Sequence, residues 1–81
     1  MASNGVLFIV STPIGNLEDI TLRAIRILNE SSLIAAEDTR HTKKLLMHYK
    51  IITPTISYFE HNIFTIIPQI LKHLNFGKNV A

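Results

Sequence analysis

The sequence predicts an α/β fold, a parallel sheet with flanking helices in βαβαβαβ order, and three observations carry that expectation. Short apolar runs of the kind that fill a buried strand alternate with longer stretches of helical period. The links between them are short, as expected for strands and helices wound in sequence. Each of the first three apolar runs also passes at once into a polar cluster: residues 6–10 into Ser11-Thr12-Pro13-Ile14-Gly15-Asn16, residues 33–36 into Glu37-Asp38-Thr39-Arg40-His41, and Ile56 into Ser57-Tyr58-Phe59-Glu60-His61-Asn62. In an open parallel sheet the strand carboxyl ends share one edge, and ligands bind there. The chemistry-bearing residues are thus concentrated on a single rim.

The first strand is expected over residues 7–11, where adjacent apolar residues rich in β-formers suit a strand covered on both faces. Pro13 and Gly15 end it in a turn. A helix follows from Thr21, with Leu22, Ala24, Ile25 and Leu28 as its apolar side and Arg23, Arg26 and Asn29 toward water. Asp19 or Thr21 suits its N-cap. Glu30-Ser31-Ser32 separates it from a second strand, residues 33–36.

Asp38 or Thr39 then caps a second helix whose inner face reads Thr42, Leu45, Leu46 and Tyr49, the i, i+3, i+4, i+7 pattern. Lys43, Lys44, His48 and Lys50 lie off that stripe, and the basic residues near the helix end suit its dipole. Pro54 makes residues 52–55 a connection, because it lacks a donor and biases Thr53 toward extended backbone. A third strand is expected at residues 56–58. The last helix buries Ile63, Ile66, Ile67, Ile70, Leu71 and Leu74 and ends at Gly77. Pro68 is tolerated in a first turn, so the helix is expected to start near Thr65 rather than at Asn62 with a kink. Lys78-Asn79-Val80-Ala81 reads as the entry to a fourth strand that is cut off.

Eighty-one residues with 47% hydrophobic content make one domain or part of one. At that size only about 60% of the unfolded surface is buried, so stability is marginal. The absence of cysteine excludes a disulfide scaffold, a zinc-thiolate site and a thiol nucleophile, and makes a cytoplasmic setting the easier expectation. No apolar stretch approaches the roughly 20 residues of a membrane helix, and residues 1–5 lack the basic start of a secretory signal. A soluble chain with no membrane partner is expected. The four histidines form neither HExxH nor a compact ligand set, so no metal site is expected. A net charge of +2 permits a polyanionic partner without demanding one.

Each rim cluster has an ordinary reading beside a functional one. Thr12-Pro13-Ile14-Gly15-Asn16 holds a single glycine, fails both the Walker and the GxGxxG patterns, and taken alone is a strand-to-helix turn. Glu37-Asp38-Thr39-Arg40-His41 can be a helix cap with Arg40 paired locally. It can equally present Arg40 to a phosphate in bidentate fashion, with Lys43 and Lys44 extending the positive edge as point charges. For those two lysines alone, a solvated helix face is the usual role. In the third cluster Phe59 suits core packing, whereas Tyr58 offers a platform on which a base can stack.

The runs LFIVSTPIGNLEDITLRAIRIL, LIAAEDTRHTKKLL and ISYFEHN, spread over residues 7–62, resemble the amino-terminal half-domain of the ribosomal RNA small-subunit methyltransferase I family, within the tetrapyrrole methylase superfamily. The resemblance implies transfer of a methyl group from S-adenosylmethionine to the ribose 2′-hydroxyl of a cytidine in 16S rRNA, with that RNA or the small ribosomal subunit as partner. It implies that Pro13, Ile14 and Gly15 border the cofactor through their main chain. It implies further that Asp38, Arg40, Glu60 and His61 face the acceptor, with Glu60 or His61 taking the ribose proton, and that Arg40, Lys43, Lys44 and Tyr58 contact RNA.

Members of that family continue into a Ser-Asp-Ala-Gly-Thr-Pro type loop and a second α/β domain, and the full-length parent is compatible with a homodimer. The expectation is therefore that residues 1–81 are a partial amino-terminal domain, inactive as an isolated chain. Two alternatives stand beside it. A porphyrinoid methylase usually carries a glycine-rich first turn where Thr12-Pro13-Ile14-Gly15-Asn16 stands here, and the residue 37–41 cluster favours the rRNA group. A non-catalytic RNA-binding remnant would bind rRNA and ignore S-adenosylmethionine.

Overall fold

Three consecutive small or branched apolar residues, Ile34, Ala35 and Ala36, form the best-paired strand of the molecule. The computed structural model describes residues 4–13 and 15–81, Glu60 by its backbone alone. In chain order the elements are a 3-10 turn at Leu17–Asp19, α1 at Leu22–Glu30, β1 at Ile34–Ala36, α2 at Thr39–His48, β2 at Thr55–Ser57, a second 3-10 turn at Glu60–Asn62, and α3 at Ile63–Asn75. β1 and β2 are parallel, with Ile34 opposite Thr55, Ala35 opposite Ile56 and Ala36 opposite Ser57. On the other side of β1, Val80 forms parallel bridges to both Leu33 and Leu7. The sheet order is therefore third run, second run, fourth run, first run, a parallel α/β arrangement as the sequence predicts.

Backbone hydrogen bonds hold that order. The Ala81 N–H donates to the Leu33 carbonyl (3.1 Å), the Ala35 N–H to the Ala81 carbonyl (2.9 Å), and the Phe8 N–H to the Val80 carbonyl (2.8 Å). The Tyr58 N–H continues the ladder to the Ala36 carbonyl (2.8 Å), although β2 itself begins and ends one residue earlier than expected.

The first expected strand is a correction. Of residues 7–11 only Leu7 makes a bridge, and Ile9 is 91% exposed. Its neighbour in the sheet, residues 79–81, pairs with residues 6–8.

α1 is capped by Thr21, whose Oγ1 accepts from the Ala24 N–H (3.0 Å). Its buried face is Ala24, Ile27 and Leu28, while Leu22 is 86% exposed. Leu22, Ile25 and Leu28 are spaced by threes and drift around a helix of 3.6 residues per turn. Ala24, Ile27, Leu28 and the buried Ser31 follow i, i+3, i+4, i+7 and stay on one side. Ser31 pays for its burial by donating from Oγ to the Ile27 carbonyl (2.7 Å).

α2 buries Leu45 and Leu46 with Thr42 and Tyr49 half-buried, the face expected. Ile20, Ala24, Leu28, Ile34, Leu45, Leu46 and Ile51 form one continuous core, and Leu45 is fully enclosed. Ile34 thus faces α1 and α2. Ala35, next along the strand and so on the opposite face, lines a groove of about 370 Å³ with Ile67, Ile70, Leu71 and Leu74 of α3.

α3 starts at Ile63, two residues before the expected start, and carries Pro68 inside it. Asn62 explains the early start. Its Nδ2 donates to the Ser57 carbonyl (2.9 Å) and its Oδ1 accepts from the Phe59 N–H (2.9 Å), which ties the helix directly to the end of β2. The carbonyl that Pro68 leaves without a donor is that of Phe64, an exposed residue, so water can satisfy it.

Both longer helices close with a Schellman turn. After α3 the Lys78 N–H reaches the His73 carbonyl and the Gly77 N–H the Leu74 carbonyl (both 3.0 Å), with Gly77 at φ +76°. After α2 the Ile51 N–H reaches the Leu46 carbonyl (2.8 Å) and the Lys50 N–H the Met47 carbonyl (3.2 Å). Here the left-handed residue is Lys50, at φ +57°.

Candidate functional site

Where β1 runs out at Ala36, its neighbours end beside it, and their ends open on a cleft of about 450 Å³. Phe8, Ile9, Val10 and Thr12 contribute from the first run, Ala36, Glu37, Asp38, His41 and Thr42 from the second, Tyr58 from the third and Ala81 from the fourth. Leu28, Ile34 and Ala35 complete the lining. The polar groups are gathered on the turn that begins α2.

That turn is built around Asp38. Its Oδ1 accepts from the N–H groups of Arg40 (3.0 Å) and His41 (3.4 Å), which caps α2, and the Arg40 Nε stands 3.8 Å away. The His41 N–H is the main cause that holds the Asp38 carboxyl below its ordinary value of 3.8. Desolvation opposes it as the next largest influence, and the Arg40 N–H and the charges of Arg40 and His41 add to the lowering.

His41 also reaches across the cleft mouth, placing Nε2 3.3 Å from the Pro13 carbonyl. A carbonyl only accepts, so the proton at that contact resides on Nε2. Two turns further along α2, the Tyr49 hydroxyl donates to the Leu17 carbonyl (2.7 Å). The first rim loop is thereby fastened to α2 on both sides of Gly15.

Of the residues singled out from the sequence, Asp38 and Tyr58 line the cleft. Pro13 is tied to it through His41 without lining it. Gly15 is exposed at φ +89°, and among the described residues no atom lies within 4 Å of where a Cβ would stand, so backbone conformation rather than crowding favours glycine there. Ile14 and the side chain of Glu60 lie outside the described residues.

The remaining candidates are not brought into the cleft. The Arg40 side chain is 93% exposed, and Lys43 and Lys44 lie on the solvent side of α2. His61 is exposed at the third turn, where its ring meets Phe59 edge-on with centroids 6.4 Å apart. Sequence reasoning overlooked His41, Glu37 and Thr12 as lining residues. His41 had a signal: it precedes the inward-facing Leu45 by four residues and therefore lies on the same side of α2, whereas Arg40 is turned a further 100° away.

Residues 6–81 match the family model of tetrapyrrole (corrin/porphyrin) methylases. Over 77 residues the chain is 54% identical to a ribosomal RNA small subunit methyltransferase I of Halalkalibacterium halodurans, covering 95% of this chain and 27% of that protein. Proteins of the same name from Synechocystis sp. and Bacillus subtilis are 53% and 54% identical over 77 residues, with 95% of this chain and 28% and 26% of those proteins covered. The chain spans about a quarter of the length of these curated relatives. With a parallel sheet whose carboxyl ends open on one cleft, and with a family match that runs from residue 6 to residue 81, this chain belongs to the tetrapyrrole (corrin/porphyrin) methylase family.

Proposed function

We propose that this chain forms one wall of an S-adenosylmethionine-dependent methyltransferase site that acts on small-subunit ribosomal RNA, at the ribose 2′-hydroxyl of a cytidine. The observation that carries the reading is the convergence of Thr12, Asp38, His41 and Tyr58 on a single cleft at the strand carboxyl ends, in a chain more than half identical to proteins named for rRNA methylation.

The residues present fit the cofactor. A cleft of about 450 Å³ is of ordinary size for a small-molecule site. Phe8, Ile9 and Val10 offer apolar surface for an adenine, and Glu37 offers a carboxylate for hydroxyl or cationic groups. In this reading the main chain of the 13–15 turn borders the cofactor, and His41 and Tyr49 fasten that loop at Pro13 and Leu17. When bound, S-adenosylmethionine supplies an electrophilic methyl group on a sulfonium.

The chain's own residues then have distinct tasks. Tyr58 presents its ring at the cleft for a base, and Arg40, Lys43 and Lys44 hold phosphates along the outer edge of α2. Asp38 acts on the acceptor side while keeping α2 capped. Glu60 or His61, on the turn after Tyr58, takes the ribose proton. Orientation of reacting groups supplies about 7 to 11 kcal/mol of such a barrier, whereas a positioned base adds about 3 to 5 kcal/mol. Positioning is the larger contribution, and one wall positions less than a closed site. The 81-residue chain alone is therefore inactive in this proposal, as a partial amino-terminal domain of a longer enzyme.

The test is a chimera in which this chain replaces the matching stretch of the Bacillus subtilis relative. Incubated with small ribosomal subunits and methyl-labelled S-adenosylmethionine, it should deposit label in 16S rRNA as 2′-O-methylcytidine. Label recovered at a base, or no label from a folded chimera, would contradict the proposal.

A further inference from the structure

The strands' amino ends, opposite the cleft, carry a second hollow of about 250 Å³ lined by Gln69, Lys72, His73, Phe76 and Lys78. The first four follow i, i+3, i+4, i+7 and therefore share one side at the end of α3. The Schellman turn at Gly77 folds Lys78 back beside them, with its N–H on the His73 carbonyl (3.0 Å). His73 is fixed by Ser32: its Nδ1 lies 2.8 Å from the Ser32 Oγ, which donates to the Asn79 carbonyl (3.0 Å). The serine has one proton, so while that bond is made the Nδ1–H donates to Oγ. In the neutral ring this leaves Nε2 with a lone pair.

Two features of this hollow stand without an internal purpose. Phe76 is 70% exposed, and the only ion pair among the described residues joins Asp38 and Arg40, so neither Lys72 nor Lys78 has a carboxylate within 4.0 Å among them. An exposed aromatic ring sharing a hollow with two lysines is an arrangement that takes a nucleotide, its base on the ring and its phosphates on the cations. We propose that this hollow is a second contact site for single-stranded RNA, with Phe76 as the stacking platform and Lys72 and Lys78 as phosphate ligands. The inference rests on the proposed rRNA substrate for the choice of RNA over another polyanion. It concerns the end of the sheet away from the methyl-transfer cleft.

The chain contains no tryptophan, so Phe76→Trp installs a single reporter at the platform. Titration of this variant with a 12-nucleotide single-stranded RNA should quench its emission, and Arg23→Ala, at an exposed position on α1, should leave the quench in place. Phe76→Ala should weaken binding about tenfold, with Phe76→Trp retaining it. Lys72→Gln with Lys78→Gln should reduce the slope of log affinity against log salt by about 1.4, the contribution of two phosphates. Unquenched emission with RNA bound, equal quenching by a polyglutamate peptide of the same charge, or no RNA binding would overturn the site. The cleft reading is judged separately, by methyl transfer from the chimera, and survives a failure confined to this hollow.

Discussion

His41 Nε2 stands 3.3 Å from the carbonyl of Pro13, a contact that joins the first residue cluster of the rim to the second. It spans 28 positions of sequence and depends on the Asp38 cap, because that cap sets where α2 begins and so which way its fourth-from-Leu45 residue points. The contact makes the first two clusters of the rim one connected structure rather than separate turns.

Replacing His41 with alanine releases the Pro13 carbonyl and loosens the loop that follows it. We expect a loss of about 1 kcal/mol in stability, the usual worth of one hydrogen bond. In the chimera, S-adenosylmethionine affinity should also fall. Thermal melts and calorimetry check both, and an unchanged affinity would mean that the loop needs no fastening by His41.

Asp38 makes the rim acid-sensitive. Its carboxyl is held below the ordinary value of 3.8 in the folded chain, chiefly by the His41 N–H. A depressed folded value contributes stability that is present above the unfolded value and is lost as pH falls through the folded one. Stability should therefore decline below about pH 4, and Asp38→Asn, which keeps an acceptor oxygen without the charge, should flatten that decline. Circular dichroism along an acid titration gives the answer; identical acid limbs for both chains would refute the assignment.

Both Schellman turns favour glycine at the left-handed position, so adding one and removing one should act in opposite directions. Lys50 at φ +57° carries the left-handed penalty of a residue with a Cβ, about 1 to 2 kcal/mol, against the extra chain entropy that glycine loses. Lys50→Gly should raise stability by about 0.5 to 1 kcal/mol. Gly77→Ala, at φ +76°, should lower it by a similar amount. Denaturant melts of the two variants that moved in the same direction would contradict this account of the helix ends.

The outer edge of α2 predicts a salt dependence of its own. Arg40, Lys43 and Lys44 bound to about three phosphates of a single strand contribute a slope near −2 in log affinity against log salt. Alanine at all three should remove that contribution and leave the part carried by Lys72 and Lys78. An RNA titration series in which the triple variant keeps the full slope would remove this edge from the RNA path.

Much of this architecture was legible in the residues, and the exceptions have identifiable physical causes. The switch from apolar run to polar cluster located the strand ends, because it reflects local burial. The inner face of α2 was readable for the same reason. Residues 7–11 read as a strand from their β-rich composition, which reports propensity and not pairing, and of them only Leu7 makes a bridge. The position of Val80 between Leu33 and Leu7 is a tertiary fact with no local signature. In α1 the spacing of Leu22, Ile25 and Leu28 suggested a stripe that the 3.6 period does not sustain: Ala24 and Leu28 are buried as expected, Leu22 is exposed and Ile27 takes the core. Charge drew notice to Arg40, whereas the inward side of the helix belonged to His41.

The central claim is that the strand ends enclose one cleft and that this cleft receives the methyl donor. Thr12→Trp tests it most directly, since Thr12 is exposed at the mouth and a larger side chain there fills space without touching the core. Calorimetry of S-adenosylmethionine with the chimera should show at least tenfold weaker binding for Thr12→Trp and unchanged binding for Thr65→Trp on the exposed side of α3. Binding that is undiminished by Thr12→Trp, or absent from the folded parent chimera, would contradict the account.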